Sequence, residues 1–173
     1  MPRPDQLKLD PIDGADLSAL SGAEPDGLIG LIESVIRLAN SGHVRQTLMR
    51  LSGFPAEDIP AFLALNQLVL HGALRPTDLA EQLDTGRSNA TKIVERLQAM
   101  DLVLRLPDPE DARGVLVALS PHGRAIGRRL VDTNQSMLDR LSADWHPDDI
   151  PTFQRLLRQL ISGYETINDP PLG

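Results

Sequence analysis

Between positions 87 and 96 the sequence RSNATKIVER interleaves Arg87, Ser88, Asn89, Thr91, Lys92 and Arg96 with apolar residues and one acid, Glu95. Each of these six side chains donates hydrogen bonds or carries positive charge. Asn and Ser can donate to and accept from base edges, and an arginine fork fits guanine O6 and N7 with two hydrogen bonds. Lys92 and Arg96 suit phosphate oxygens, where charge adds affinity and salt dependence but little sequence information. Further along, Arg113 stands in a polar stretch, and a flexible cation there suits a minor groove. Asp111 precedes it by two positions and has no reason to approach phosphate. Its expected part is to orient the stretch, through an ion pair or by capping backbone amides. Polar residues on the outside of an amphipathic helix are common, and so are charged loops. Neither signal decides the matter alone.

The elements that must position these residues are legible in the same region. Thr77 is a good N-cap for a short helix, Asp78 to Leu83, with Leu79, Ala80 and Leu83 facing inward. As the residue that opens this helix pair, Thr77 joins the DNA-contact candidates. A tight connection, Asp84-Thr85-Gly86, leads into a second helix from about Arg87 to Met100, whose inward residues Ala90, Ile93, Val94 and Leu97 follow helical spacing. Asp101 closes it and the period changes. Leu102 to Leu106 and Val115 to Leu119 are runs of strand length, joined by a polar turn from Pro107 to Gly114 that holds two prolines. Two short helices, a tight turn and a hairpin make a winged helix-turn-helix. In that motif the N-terminal half of the second helix enters the major groove, which is where Arg87, Ser88 and Asn89 fall.

On both sides the pattern is helical. An apolar stripe, Leu28, Ile32, Val35, Ile36 and Ala39, continues to Leu48 and Leu51, with Asn40-Ser41-Gly42 placed to kink or interrupt it. A further helix runs from about Pro60, an N1-type proline, to His71, buries Phe62, Leu65, Leu68 and Val69, and stops at Gly72. Ser120-Pro121 opens a long helix to about Ala143, and His146-Pro147-Asp148-Asp149 starts the last one, with acids at the positive end of its dipole. The stripe Ile150, Phe153, Leu156, Leu157, Leu160 and Ile161 is too wide for a helix that skims a surface. The chain therefore divides into a loose arm over 1–25, helical segments over 26–56 and 120–167, a winged helix over 57–119 and a tail over 168–173. The fold class is mainly α with a small β-hairpin wing.

The net charge of −7 looks unsuited to nucleic acid until it is divided along the chain. Residues 75–129 hold nine Lys/Arg and eight Asp/Glu, so the acidity lies in the remainder. A locally balanced middle can gather its cations on one face. The absence of cysteine excludes disulfides, thiolate metal sites and thiol redox switching. No apolar run approaches the roughly 18 residues of a membrane span, and the polar, acidic start lacks the order of a signal peptide. A cytoplasmic protein without membrane contact is expected.

The order of elements, the run Leu83…Arg87-Ser88-Asn89-Ala90-Thr91-Lys92-Ile93-Val94-Glu95-Arg96-Leu97…Leu102-Val103 and the wing pattern Asp111-x-Arg113-x-x-x-Val117-x-Leu119-Ser120-x-x-Gly123 together resemble the MarR family of bacterial transcriptional regulators. The resemblance is ungapped from about Arg75 to Gly123, and the helical layout extends it over about residues 28–165. The wing pattern is the more specific part; the helix-turn-helix is shared widely. Two departures stand out. Gly86 occupies a position where serine often caps the helix, so Thr85 or the backbone must serve. Ala112 replaces a frequent second arginine, leaving Arg113 as the cation of the wing tip.

The resemblance implies a homodimer in which the first and last helices interlock with those of a second subunit. The apolar stripes agree, since they exceed what a winged helix of about 50 residues can cover. Two recognition helices would then lie about 34–36 Å apart and favour a near-palindromic operator on double-stranded DNA. The family also implies repression as the default, and a small aromatic or anionic effector held in a cleft between the dimer region and the winged helix. His43, Phe62, Asn66 and His71 lie on the elements that would line such a cleft.

An enzyme is disfavoured. There is no phosphate-binding glycine loop, nucleophile elbow or His-Glu metal motif, and Ser120 and His122 are explained by a helix start. No cofactor is implied. No metal is implied either: His43, His71, His122 and His146 fall on different elements without paired ligand spacing. Two alternatives are a winged helix that binds protein and a DNA-binding regulator that answers to no ligand.

Overall fold

The computed structural model describes residues 27–111 and 114–168. The arm expected over 1–25 and all of the tail beyond Asn168 lie outside the described residues, as do Ala112 and Arg113. The chain falls into two units that meet between Ser41 and Gly42, so the interruption expected at Asn40-Ser41-Gly42 is a complete break. In the first unit the described element is α1 (Leu28–Ala39), with no buried side chain and an apolar stripe along one side. In its last turn Arg37 donates to Ser34 Oγ at 3.1 Å, one turn back on the same helix.

The second unit runs α2 (Gly42–Ser52), α3 (Ile59–His71), α4 (Pro76–Gln82), α5 (Arg87–Ala99), β1 (Val103–Pro107), β2 (Val115–Leu119), α6 (Pro121–Leu141) and α7 (Asp149–Asn168). This is the expected class, helices with one two-stranded antiparallel hairpin. Helix α3 is the centre of the packing and touches α4, α5, α6 and β2, while α2 lies against α6. Leu65 and Leu68 of α3, Leu79 of α4, Val94 and Leu97 of α5, Val117 of β2, and Ile126 and Leu130 of α6 are each at most 1% exposed. Burial of each such side chain contributes about 1.5–3 kcal/mol, so this cluster holds the winged helix together.

The helix ends follow local chemistry. Asp58 caps α3 by accepting from the Ala61 amide at 3.0 Å, and Pro60 sits in the first turn, where its missing N–H costs nothing. After α4 and α5 the chain reverses through Asp84 and Asp101, which take φ of 47° and 56°. Asp is among the few non-glycine residues that tolerate this region. Ser120 caps α6 by accepting from the Gly123 amide at 2.9 Å, and its hydroxyl donates to the Asp101 carbonyl at 2.6 Å. Gly123 has a second reason to be glycine: a Cβ there would overlap the Leu102 carbonyl oxygen. Helix α6 therefore rests directly on the backbone that leads into β1.

Helix α7 contrasts with all of this. Its stripe, Ile150, Phe153, Leu156, Leu157, Leu160 and Ile161, is exposed throughout, and Trp145 meets Phe153 edge to face at 5.6 Å. The distal part of α6 shares the exposure, with Val131, Leu138 and Leu141 in solvent.

Candidate nucleic-acid interface

Helix α5 presents two chemically distinct sides. Ala90, Ile93, Val94 and Leu97 are buried, which leaves Arg87, Ser88, Asn89, Lys92 and Arg96 exposed and Thr91 half-buried. The N-cap position is Gly86, extended at φ −71° and ψ 148°, and no side chain caps the helix there. Its carbonyl accepts from the Asn89 and Ala90 amides at 2.9 and 3.0 Å. The second of these is the ordinary first bond of any helix and the first ties down the Asn89 amide alone, so the amides of Arg87 and Ser88 are left uncapped. Thr85 is engaged differently: its Oγ1 accepts from Asn89 Nδ2 at 2.9 Å. Asn89 is consequently held over the α4–α5 turn, and a bond to a base edge must replace that one. The Thr91 hydroxyl donates to the Arg87 carbonyl at 3.0 Å, so it is turned back onto its own helix.

Two expected contacts are placed otherwise. Thr77 is not the N-cap of α4. Pro76 has a fixed φ and lacks an N–H, so it takes the first helical position and moves the cap slot back to Arg75. Thr77 lies inside the first turn, half-buried, with Oγ1 donating to Asp78 Oδ1 at 3.2 Å. Arg96 is paired within the protein. Its Nε donates to Asp58 Oδ2 at 2.5 Å, with Nη2 3.4 Å from Oδ1. Burial pushes the Asp58 carboxyl up, but the hydrogen bonds from Arg96 and from the Ala61 amide outweigh it and leave the group below its ordinary 3.8.

The wing pairs in the register Val103↔Leu119 to Pro107↔Val115. Leu74, ahead of α4, adds a short third rung, giving and receiving hydrogen bonds with Val117 at 2.8–3.0 Å. The strand ends are tied by Asp108, whose amide donates to the Gly114 carbonyl at 3.0 Å. Its carboxylate is buried and is the anchor of the turn. Oδ2 accepts from Arg75 Nε at 2.6 Å and Oδ1 from the Glu110 amide at 2.9 Å. The Arg75 hydrogen bond, then that of Glu110, holds the Asp108 carboxyl below its usual range, and Asp108 raises the Arg75 guanidinium in turn. Asp111 adds its own amide to Asp108, and its carbonyl accepts from the Gly114 amide at 2.8 Å. A Cβ on Gly114 would stand 2.8 Å from that of Asp108, so the close turn requires glycine.

Asp108 and Arg75 were missed because the sequence gives no long-range pairing. The one local signal was Asp108-Pro109, since Asp before proline commonly initiates turns.

The four residues expected to share an effector cleft do not converge. A cavity of about 670 Å³ opens between α2 and the segment that leads into α3, lined by His43, Gln46, Arg50, Phe54 and Glu57 among others. His43 is the member of the expected set that lines it. Phe62 does not line it: it is buried in the core, edge to face with Phe54 at 5.4 Å. Asn66 is half-buried and His71 exposed at the far end of α3, and neither lines this cavity. Among the described residues no group of three or more His, Asp or Glu is placed to hold a metal, and no helix is long and apolar enough to cross a membrane.

Comparison with known proteins supports the same architecture. The MarR family model matches residues 58–115. The multiple antibiotic resistance protein MarR of Salmonella typhimurium is 30% identical over 101 residues, spanning 58% of this chain and 70% of that protein. A solved MarR family protein from Bacillus stearothermophilus superposes with a TM-score of 0.65 at 24% identity, covering 79% of this chain and 95% of its own. NadR in complex with 4-hydroxyphenylacetate superposes with a TM-score of 0.57 at 22% identity, covering 83% and 96%.

Proposed function

The chain belongs to the MarR family of DNA-binding transcriptional regulators, and from that premise we propose that it is a homodimeric repressor of a near-palindromic operator, released by a small aromatic anion. The observation that carries the DNA-reading half is the exposed, polar N-terminal half of α5 beside a hairpin anchored by Arg75 and Asp108. Among the described residues Arg87, Ser88 and Lys92 have no side-chain partner to give up. Arg87 and Ser88 face base edges, with Asn89 joining them by exchanging its bond to Thr85. Lys92 meets phosphate, as do the uncapped amides of the first turn. Arg113 enters the minor groove from the wing, and Asp111 helps to shape that turn through its backbone. Thr77, on the first turn of α4, is a phosphate contact if its hydroxyl leaves Asp78.

A second copy of the chain covers the apolar stripes of α1 and α7. They are too large to face water in a stable soluble protein, and twofold association is the common solution. The effector occupies the α2–α3 cavity, whose size suits a small molecule. Arg50 supplies a cation, the Phe54 ring an aromatic face, and His43 and Gln46 further polar contacts. The complex of NadR with 4-hydroxyphenylacetate supports this ligand class, as the bound molecule is an aromatic carboxylate.

Selection of bound sequences from random DNA tests the proposal. The expected outcome is enrichment of two inverted half-sites about one helical turn apart, with binding that falls steeply as salt rises. A monomer by light scattering at micromolar concentration, or no enriched sequence, overturns it. Failure to bind heparin or random DNA would favour a winged helix that binds protein.

A further inference from the structure

Asp58 serves two helices with one carboxylate. Oδ1 accepts from the Ala61 amide at 3.0 Å and closes the start of α3, while Oδ2 accepts from Arg96 Nε at 2.5 Å. Its chain neighbours on either side, Glu57 and Ile59, line the α2–α3 cavity. Apart from the Asn89 bond to Thr85 at its very start, the side-chain attachment of α5 is apolar, through Ala90, Ile93, Val94 and Leu97. Apolar burial is non-directional and tolerates a small rotation of a helix about its axis. A guanidinium on a carboxylate has fixed geometry and does not. Arg96 lies one helical turn beyond Lys92, on the side of α5 that also carries Lys92 and Ser88. Whatever fixes its direction fixes theirs.

We infer that Asp58 is a positioning residue for DNA reading: through Arg96 it sets the rotation of α5, from a place in the chain between two residues of the cavity wall. This rests on the reading of α5 as the DNA-contacting helix. It assigns Arg96 to the protein interior side of the interface in place of a phosphate.

Asp58→Asn tests this cleanly, because asparagine caps a helix as well as aspartate does but no longer offers Arg96 a charge. Arg96→Ala removes the other partner. Both variants should lose about tenfold in discrimination between the selected operator and random DNA, and the double variant should lose no more than either alone. The slope of affinity against salt should be unchanged, whereas loss of a phosphate contact would reduce it by about one. In the DNA-free protein, hydrogen exchange should quicken in α5 and stay as it was in α3. A reduced salt slope for Arg96→Ala together with normal or tighter binding by Asp58→Asn makes Arg96 a phosphate ligand and overturns the inference. Equal loss of protection in α3 makes Asp58 a cap and nothing more, which also overturns it. If the unaltered protein binds no DNA, the reading of α5 fails. In that case, unaltered exchange in α5 of Asp58→Asn overturns the pair's role as well, while quickened exchange confined to α5 upholds the pair as its orienting contact.

Discussion

Helices α5 and α7 each carry an apolar stripe at helical spacing, yet their fates differ. In α5 the stripe is narrow and every member is buried against α3, α4 and the hairpin. In α7 the stripe is wider, and Ile150, Phe153, Leu156, Leu157, Leu160 and Ile161 are between 39 and 50% exposed. The same kind of pattern thus marks an element that completes its own domain in one case and one left exposed in the other. What separates them is the surroundings: α5 is hemmed by tight turns at Asp84 and Asp101, while α7 follows the segment 142–148 and, among the described residues of its own unit, packs closely on no other element.

The sharpest way to break this contrast is to damage each helix in turn. Leu97→Ala empties a fully buried site and should destabilise the protein by about 2–5 kcal/mol in a urea melt, at any protein concentration. If the loss is as small as for a surface site, the core has been misplaced. Leu157→Glu on α7 should leave the domain folded by circular dichroism. It should convert the dimer to monomer by light scattering and weaken operator binding about a hundredfold, because the two half-sites are no longer linked. Retention of the dimer would remove α7 from the interface.

Smaller effects divide the reading surface itself. Asn89→Ala should cost about 1–3 kcal/mol at particular operator positions and little elsewhere. Arg113→Ala should instead weaken binding evenly across sequences of the same minor-groove shape, as measured by competition with operator variants. The smallest effect concerns the wing anchor. The Asp108 carboxyl lies below its ordinary 3.8, so its contribution is complete above that pH and fades only as pH falls through the lower folded value. Stability of the unaltered protein relative to Asp108→Asn should be level from pH 7 to about 4 and decline below. A decline beginning near pH 6 would mean that another group governs the wing.

Local patterns carried most of the fold. The four inward residues of α5, the two strands, the Ser120 cap and the break after Asn40 follow from spacing, turn chemistry and composition within a few residues. The family resemblance added the expectation of a second copy. The anchors were invisible for a physical reason. Asp58 and Arg96 are 38 positions apart, and Arg75 and Asp108 are 33 apart. Ion pairs between distant segments leave no period in a sequence, and each partner alone looks like an ordinary surface charge. The same blindness spread the effector candidates too widely. Phe62 and His43 share a pattern of plausible lining residues, but only the packed structure shows that Phe54 lines the cavity while Phe62, in contact with it, does not.

The seat of Gly123 on the Leu102 carbonyl has a mechanical consequence. Because no side chain pads that contact, the start of α6 and the root of the hairpin form a fulcrum instead of a cushioned joint. Helix α6 has 21 residues and so extends about 31 Å from it. A pivot of about 5° at the fulcrum carries the far end of the helix through about 3 Å. Were α6 and the α2 packed on it to turn about this seat as one body, shifts slight at the wing would become displacements of atomic size where α6 gives way to α7.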